Sequence, residues 1–341
     1  MPSDVRRSGS SSAYLSSSRT HGHARSSSNS PSRASSSSSS SRASNVSAEP
    51  STSAAVHDQY ASYREEDRRT LSDPYAQPQW GSPYSGQNPY AQVQNHTLYG
   101  RGGPQPKHVR QGNLGDCHVL ASLAGVASDP NAIQQMVQPH GPGSYQVNLH
   151  DPRTMQPVQV QVDSQLPVGM EPSFHTSQRH KVIWPHMVEK GYAKVHDASE
   201  SVYRGQDTST RQTRGYGDLE GGTGIHAMQS FTGRPADYMP IQNMPDQQLV
   251  NLLSMANTPG VAVVAGSNYH ETAGMSSRVE TAHAYTVTGV RTSSRTGEVM
   301  VELRNPHGGD QYPLVGTRND TFELPLRKFR ASFESVTYPT R

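Results

Sequence analysis

Gln111-Gly112-Asn113-Leu114-Gly115-Asp116-Cys117-His118-Val119-Leu120-Ala121-Ser122-Leu123-Ala124-Gly125-Val126 is the stretch from which the fold follows. Its first half is a glycine-rich turn. Its second half, Val119 to Val126, is apolar, rich in alanine and leucine and free of proline, which predicts a buried helix. Asp116 stands just before that helix, where a side-chain oxygen can cap free N–H groups. Cys117 falls at the helix N-terminus, where unpaired N–H groups and the helix dipole favour negative charge. A thiol placed so is expected to ionise more easily, and the thiolate is the nucleophile. A lone cysteine is otherwise most often a small buried hydrophobe, so catalysis and packing both stay open on this stretch alone. Cys117 is the one cysteine of the chain, which excludes an intrachain disulfide and any multi-cysteine metal site.

A cysteine nucleophile needs a base and a group to orient it. His118 is adjacent, but successive helical side chains diverge by about 100°. His283 is better placed, on an expected strand Ala282 to Val290 followed by a second strand Glu298 to Arg304. If the loop Thr292 to Thr296 is symmetric about Ser294, reflection sets His283 opposite Asn305, with Cβ atoms about 5 Å apart. The asparagine carbonyl would then accept from His283 Nδ1–H and leave Nε2 for sulfur. A β-bulge would shift that register, and both residues could be ordinary members of a sheet. Gln111 lies across the glycine turn from Cys117, where its amide could join the Cys117 N–H in stabilising an oxyanion. A loop glutamine is otherwise plain surface.

Outward from these motifs, Ile133 to Val137 reads as a short helix. Ser144 to Leu149 and Val158 to Val162 read as a hairpin around Asp151-Pro152-Arg153. Trp184 to Val195 has helical spacing. Gly215 to Gly224 is the strongest interior break. Gln247 to Met255 reads as a helix and Val261 to Ala265 as a buried strand. Phe322 to Phe333 mixes periods and could close the sheet. The expected organisation is a disordered, low-complexity region over 1–104, a helical lobe over 105–222 bearing Cys117, and a sheet-rich lobe over 223–341 bearing His283 and Asn305. Residues 1–56 are dominated by serine and lack the apolar side chains that offset ordering entropy. The net charge of +2 makes no demand for nucleic acid. No run reaches the roughly 18 apolar residues that span a bilayer, and the N-terminus lacks a signal-peptide core. The oligomeric state is not legible.

Together these residues resemble the protease core of calpains. The family's Gln-Gly-x-x-Gly-Asp-Cys-Trp stands here as Gln111 to His118. Its Gly-His-Ala-Tyr-Ser-Val-Thr-Gly stands as Ala282 to Gly289, and its Arg-Asn-Pro-Trp-Gly as Arg304 to Gly308. The resemblance covers roughly residues 105–339. It implies an α+β, papain-like, two-lobed fold and a cysteine endopeptidase acting on protein substrates. Cys117 would be nucleophile, His283 base then acid, Asn305 orienter, and Gln111 part of the oxyanion hole. Three departures flank these positions: His118 and His307 replace tryptophans, and Ala282 replaces a glycine. The tryptophan at 307 would shield the His–Asn bond from water, so its loss implies a less firmly oriented base. A fold-retaining module without turnover and a Cys–His acyltransferase are the alternative functions. No cofactor is required on this reading. Calpain cores bind calcium through acidic loops, and Asp197, Glu200, Asp207, Asp218 and Glu220 lie in that neighbourhood without a residue-by-residue match. No EF-hand loop is expected after the core. Absence of disulfides fits a reducing, intracellular setting. The Ser-rich, acid-poor N-terminus resembles the secretion segments of bacterial effectors delivered into host cells, the alternative being a phosphorylatable linker.

Overall fold

The computed structural model describes residues 63–80, 90–168, 181–203, 215–308 and 320–340. The chain divides into two units, 1–49 and 50–341, and every described residue lies in the second.

Order begins well before residue 105, which corrects the expected coil. Helix α1 (Glu65–Ser72) carries Leu71 into the core, and Tyr63 is buried beside it. Tyr63 Oη donates to Asp151 Oδ2 at 2.6 Å and Gln77 Nε2 to Asp163 Oδ2 at 3.0 Å. Strand β1 (Tyr90–Gln92) and the short β2 (His96–Thr97) also precede residue 105. The segment has too few apolar residues to show a period. Its partners lie 86 and 88 positions away in sequence, where no local pattern reveals them.

Helix α2 (Cys117–Val126) is buried along nearly its whole length, as its composition requires. Helix α3 (Pro130–Met136) follows, capped by Asp129, whose side chain accepts from Asn131 N. Strands β3 (Val137–Gly141), β4 (Ser144–His150) and β5 (Pro157–Asp163) form a three-stranded antiparallel sheet. Valines 147 and 160 pair across it and both face the core. Strand β6 (Gln165–Pro167) pairs with β1, and β7 (Lys181–Val182) with β2. Helix α4 (Trp184–Tyr203) runs further than the expected Val195. The glycine-rich break contains a 3₁₀ turn, Gly215–Leu219, and then α5 (Ile225–Thr232).

The remainder is mostly one sheet. Strands β8 (Ala236–Pro240), β9 (Val264–Ser267), β10 (Ala284–Thr292), β11 (Val299–Arg304), β12 (Thr321–Pro325) and β13 (Phe333–Pro339) take the antiparallel order β12-β11-β10-β9-β13-β8. Helices α6 (Asp246–Leu253) and α7 (Leu326–Ser332) accompany it. The mixed period of the tail is explained, since strand, helix and strand follow one another there without a loop.

Two apolar clusters result. One gathers Leu120, Leu123, Val147, Val160 and Trp184. The other gathers Leu249, Val263, Tyr285, Leu303 and Phe329. Strand alternation makes the sheet serve both: Val264 and Ala284 belong to the first cluster, Val263, Ala265 and Tyr285 to the second. Helix α2 lies directly on that face. A Cβ on Gly125 would come within 2.8 Å of Ala262 Cα, so only glycine allows the approach. Thr286 Oγ1 donates to Ala121 O at 2.8 Å across the same contact. This seat fixes the start of α2 relative to the start of β10.

Candidate active site

Cys117 opens α2 and lines a cleft of about 620 Å³ with Gln111, Gly222, Glu280, His283 and His307. Four sequence-derived candidates can be located. Cys117, Gln111 and His283 line the cleft, and Asn305 is buried against His283.

His283 precedes β10 by one residue, and Asn305 follows β11 by one. His283 Nε2–H donates to Asn305 Oδ1 at 2.9 Å. The contact is the expected one, but register and ring nitrogen both need correction. Thr292 pairs with Val299, and a bulge between Val287 and Gly289 brings Thr286 opposite Arg304. Continued one step, that register sets Tyr285, not His283, across from Asn305, where β11 has ended and the chain turns over 305–308. Asn305 is therefore a diagonal neighbour of His283, about 7–8 Å away along the backbone. Spanning the diagonal takes the distal nitrogen, so Nε2 meets Asn305 and Nδ1 is left over, the reverse of the expectation.

The His307 ring, from the turn after β11, stacks on His283 with centroids 4.6 Å apart and planes 2° from parallel. An imidazole thus covers the His283 ring where the family motif has a tryptophan. His307 N donates to Asn305 Oδ1 at 3.0 Å. On its other side Asn305 Nδ2 donates to Glu280 Oε1 at 2.8 Å. Sequence reasoning missed Glu280; an acid three residues before the histidine was the available signal. Tyr285 Oη in turn accepts from Glu280 N at 2.8 Å. Ser267 Oγ accepts from His283 N at 3.0 Å and donates to Glu280 O at 2.6 Å. Ala282, in the place of the family's glycine, has φ 51°, a left-handed conformation that a Cβ makes costly.

The loop carrying Gln111 is tied to the end of β11. Gln111 N donates to Pro306 O at 2.8 Å, and Arg304 Nη2 to Val109 O at 2.5 Å. Gln111 is buried, and its Nε2 donates one proton to Leu114 O at 2.7 Å. A carboxamide nitrogen carries two protons, so the second can serve the cleft.

Electrostatics correct two further expectations. Asp116 makes no side-chain cap to α2. It is fully buried, and burial, with the Glu189 charge of α4 next, raises its pKa well above the usual range. Burial likewise pushes Glu189 up to about 8. The Cys117 thiol is shifted upward rather than downward. Burial dominates, Asp116 adds to it, and the amides of Ala284, His118 and Cys117 pull the other way. Burial lowers the pKa of His283 against the Asn305 bond and the Glu280 charge. Burial thus favours the neutral form of each group. His118 is buried behind the cysteine, with its pKa pushed down to about 4 by burial and by His196 and His226. Its ring fills the space beside Gly222, where a Cβ would meet Nε2 at 2.8 Å.

The calcium expectation finds little support among the described residues. Asp207 and the Glu200 side chain lie outside them. Asp197, Asp218 and Glu220 are not gathered within the reach of one ion, whereas Glu280, His283 and His307 are. Calcium takes six to eight oxygen ligands, and that second group offers two nitrogens and a carboxylate.

Residues 67–320 match the description of a calpain family cysteine protease. The chain belongs to that family. It is 29% identical over 216 residues to calpain clp-4 of Caenorhabditis elegans, covering 60% of this chain and 27% of that protein. It is 28% identical over 217 residues to mouse calpain-9, covering 61% of this chain and 29% of the relative. With Drosophila melanogaster calpain-B it shares 26% over 219 residues, 59% of this chain and 21% of the relative. The chain thus spans less than a third of the length of these calpains. No helix among the described residues is long and apolar enough to cross a membrane.

Proposed function

We propose that this calpain-family domain is an endopeptidase that cleaves protein chains through Cys117, His283 and Asn305. The observation that carries the reading is the His283 Nε2–Asn305 Oδ1 bond of 2.9 Å at the edge of the cleft that holds the one thiol. His283 Nδ1 takes the thiol proton as sulfur attacks the scissile carbonyl carbon. The resulting oxyanion is held by Cys117 N–H and the second N–H of Gln111 Nε2. His283 then protonates the departing amine nitrogen, which leaves a thioester on Cys117. Water, deprotonated by His283, attacks the thioester carbonyl, and the acid product departs as the thiol regains its proton. With burial disfavouring both charged forms, nucleophile formation is coupled to substrate arrival and to the exclusion of water it brings.

A papain-like division into two lobes is supported by the two apolar clusters, one centred on α2 and α4 and the other on the large sheet; α5 joins the first through Ala227, Met228 and Phe231, past the expected boundary at 222. An extended peptide would lie in the cleft between Gly222 and Ser267. Cleaved substrates, an intracellular site of action and delivery by the Ser-rich segment belong to this proposal as well. Labelling by an electrophilic peptide tests it. Covalent capture at Cys117, lost in His283→Ala, is expected together with new protein termini in a treated proteome. Capture without new termini would favour a module that has lost turnover. Transfer to added amines in place of hydrolysis would favour an acyltransferase.

A further inference from the structure

We propose that Glu280, His283 and His307 form an inhibitory binding site for a divalent cation of the zinc class at the mouth of the cleft. One carboxylate oxygen and one nitrogen from each imidazole all lie within 4.8 Å of one another. Two imidazoles, one carboxylate and a position left for water are the donor set of an open zinc site. Imidazole nitrogen suits zinc and its transition-metal neighbours, whereas magnesium and calcium prefer oxygen alone.

The surroundings are arranged as such a site needs. All three residues line the cleft, so an ion can enter and keep an open coordination position. The Glu280 carboxylate is held by Asn305 Nδ2 at 2.8 Å, an outer hydrogen bond of the kind that orients a metal ligand. The Glu280 backbone is held by Tyr285 Oη and Ser267 Oγ. Glu280 Oε2 and His307 Nε2 are already 3.9 Å apart. Zinc bonds of about 2.0 Å place tetrahedral ligand atoms about 3.3 Å from one another. The three donors must therefore close by up to about 1.5 Å, and the two rings, now stacked in parallel, must turn by side-chain torsion so that their in-plane lone pairs converge on the ion. The site draws His283 from the residue before β10 and His307 from the turn after β11.

Occupancy has a direct consequence if His283 is the catalytic base. The cation takes an imidazole lone pair and draws the ring from its bond with Asn305, so proton transfer from Cys117 stops. Inhibition rests on the peptidase reading; binding does not, so the two can fail separately.

The test uses the full chain carrying Cys117→Ala, which removes the thiol as a competing ligand. Calorimetric titration with Zn2+ and visible absorption with Co2+ are expected to show one equivalent that neither Ca2+ nor Mg2+ displaces. His307→Trp, the smaller His307→Gln and Glu280→Gln should each lose that equivalent. Affinity should fall by more than the roughly 10–100-fold that follows loss of an outer-shell partner. Thermal melts without metal confirm that each variant folds, and either His307 variant suffices. Titration with the Cys117→Ala parent as baseline separates this equivalent from sites elsewhere on the chain. In the Cys117 enzyme, Zn2+ should depress peptidase activity, and His307→Trp should relieve it relative to its own metal-free rate. The proposal is overturned if Cys117→Ala already lacks the equivalent, which would put the metal on the thiol. It is overturned equally if the His307 and Glu280 variants bind as tightly as their parent. A chain that binds the cation at these residues but cleaves nothing would leave the site standing and remove the peptidase reading.

Discussion

Two buried polar groups flank Cys117, and they differ in what they can do. Behind it, Asp116 and Glu189 are buried in the interior, the Glu189 charge acting on Asp116, with His186 Nδ1 3.3 Å from Glu189 Oε2. In front, Glu280, Asn305, His283 and His307 form a chain of hydrogen bonds and stacked rings that opens on the cleft. Burial shifts the ionisation of both groups. The rear acids are driven toward the neutral form, as is His283 in front. Only the front group opens on the cleft, so the same physics acts in a closed interior in one place and at an accessible surface in the other. Strongly perturbed groups are therefore not by themselves a guide to the catalytic ones.

The sharpest break between the two groups is Cys117→Ala. Peptide cleavage should fall by at least about 10³-fold while the melting temperature stays near that of the parent. Unchanged cleavage would remove the front group from the chemistry altogether.

Removal of residues 1–103 should strike the rear side instead. It takes away buried Tyr63 and Leu71 and the Asp73 carbonyl that accepts from Lys194 Nζ at 2.8 Å. At roughly 1.5–3 kcal/mol for each buried apolar side chain, stability should drop by at least about 3 kcal/mol in denaturant titrations. A chain starting at residue 63 should be spared most of that loss. If both truncations melt together, the early helix is not part of the core.

Glu189→Gln sharpens the contrast through pH. Glu189 has its folded pKa raised from 4.5 to about 8, so its stabilising contribution is complete below pH 4.5 and is lost as pH rises to about 8. The glutamine variant should gain stability relative to the parent across that window, by up to roughly 1.4 kcal/mol per pH unit, and level off above it. Asp116 shifts in the same direction, while His186, lowered to about 4, acts in the opposite sense at the acidic end. A pH-independent difference between variant and parent would show that Glu189 is ionised in the folded protein.

The smallest expected effect is Ala282→Gly. The left-handed φ of 51° is strained for alanine by about 1–2 kcal/mol. Glycine gives back about 0.5–1 kcal/mol as extra chain entropy, so the net gain should be below about 1 kcal/mol in thermal melts. A loss of stability would mean that the Cβ makes contacts worth more than its strain.

Local sequence was enough for much of this. The apolar run after Cys117 specified a buried helix with the thiol at its start, because a helix without polar faces has nowhere else to go. The alternation in Ser144–Leu149 and Val158–Val162 specified a hairpin, and β4 and β5 extend each strand by one or two residues. The motifs around Cys117, His283 and Asn305 were read from spacing and resemblance, and the fold brings Cys117 and the His283–Asn305 pair to one cleft. Tertiary structure decided the rest. Reflection through a loop counts residues and cannot see a bulge, so only the folded sheet could set Tyr285 rather than His283 across from Asn305. The ionisation of Cys117 followed burial by its three-dimensional neighbours more than its place on the helix. The ionisation of Asp116 followed its burial and then the charge of Glu189, 73 residues away in sequence. Periodicity and helix-end chemistry are properties of neighbours along the chain, whereas register, desolvation and buried hydrogen-bond partners exist only once distant segments pack.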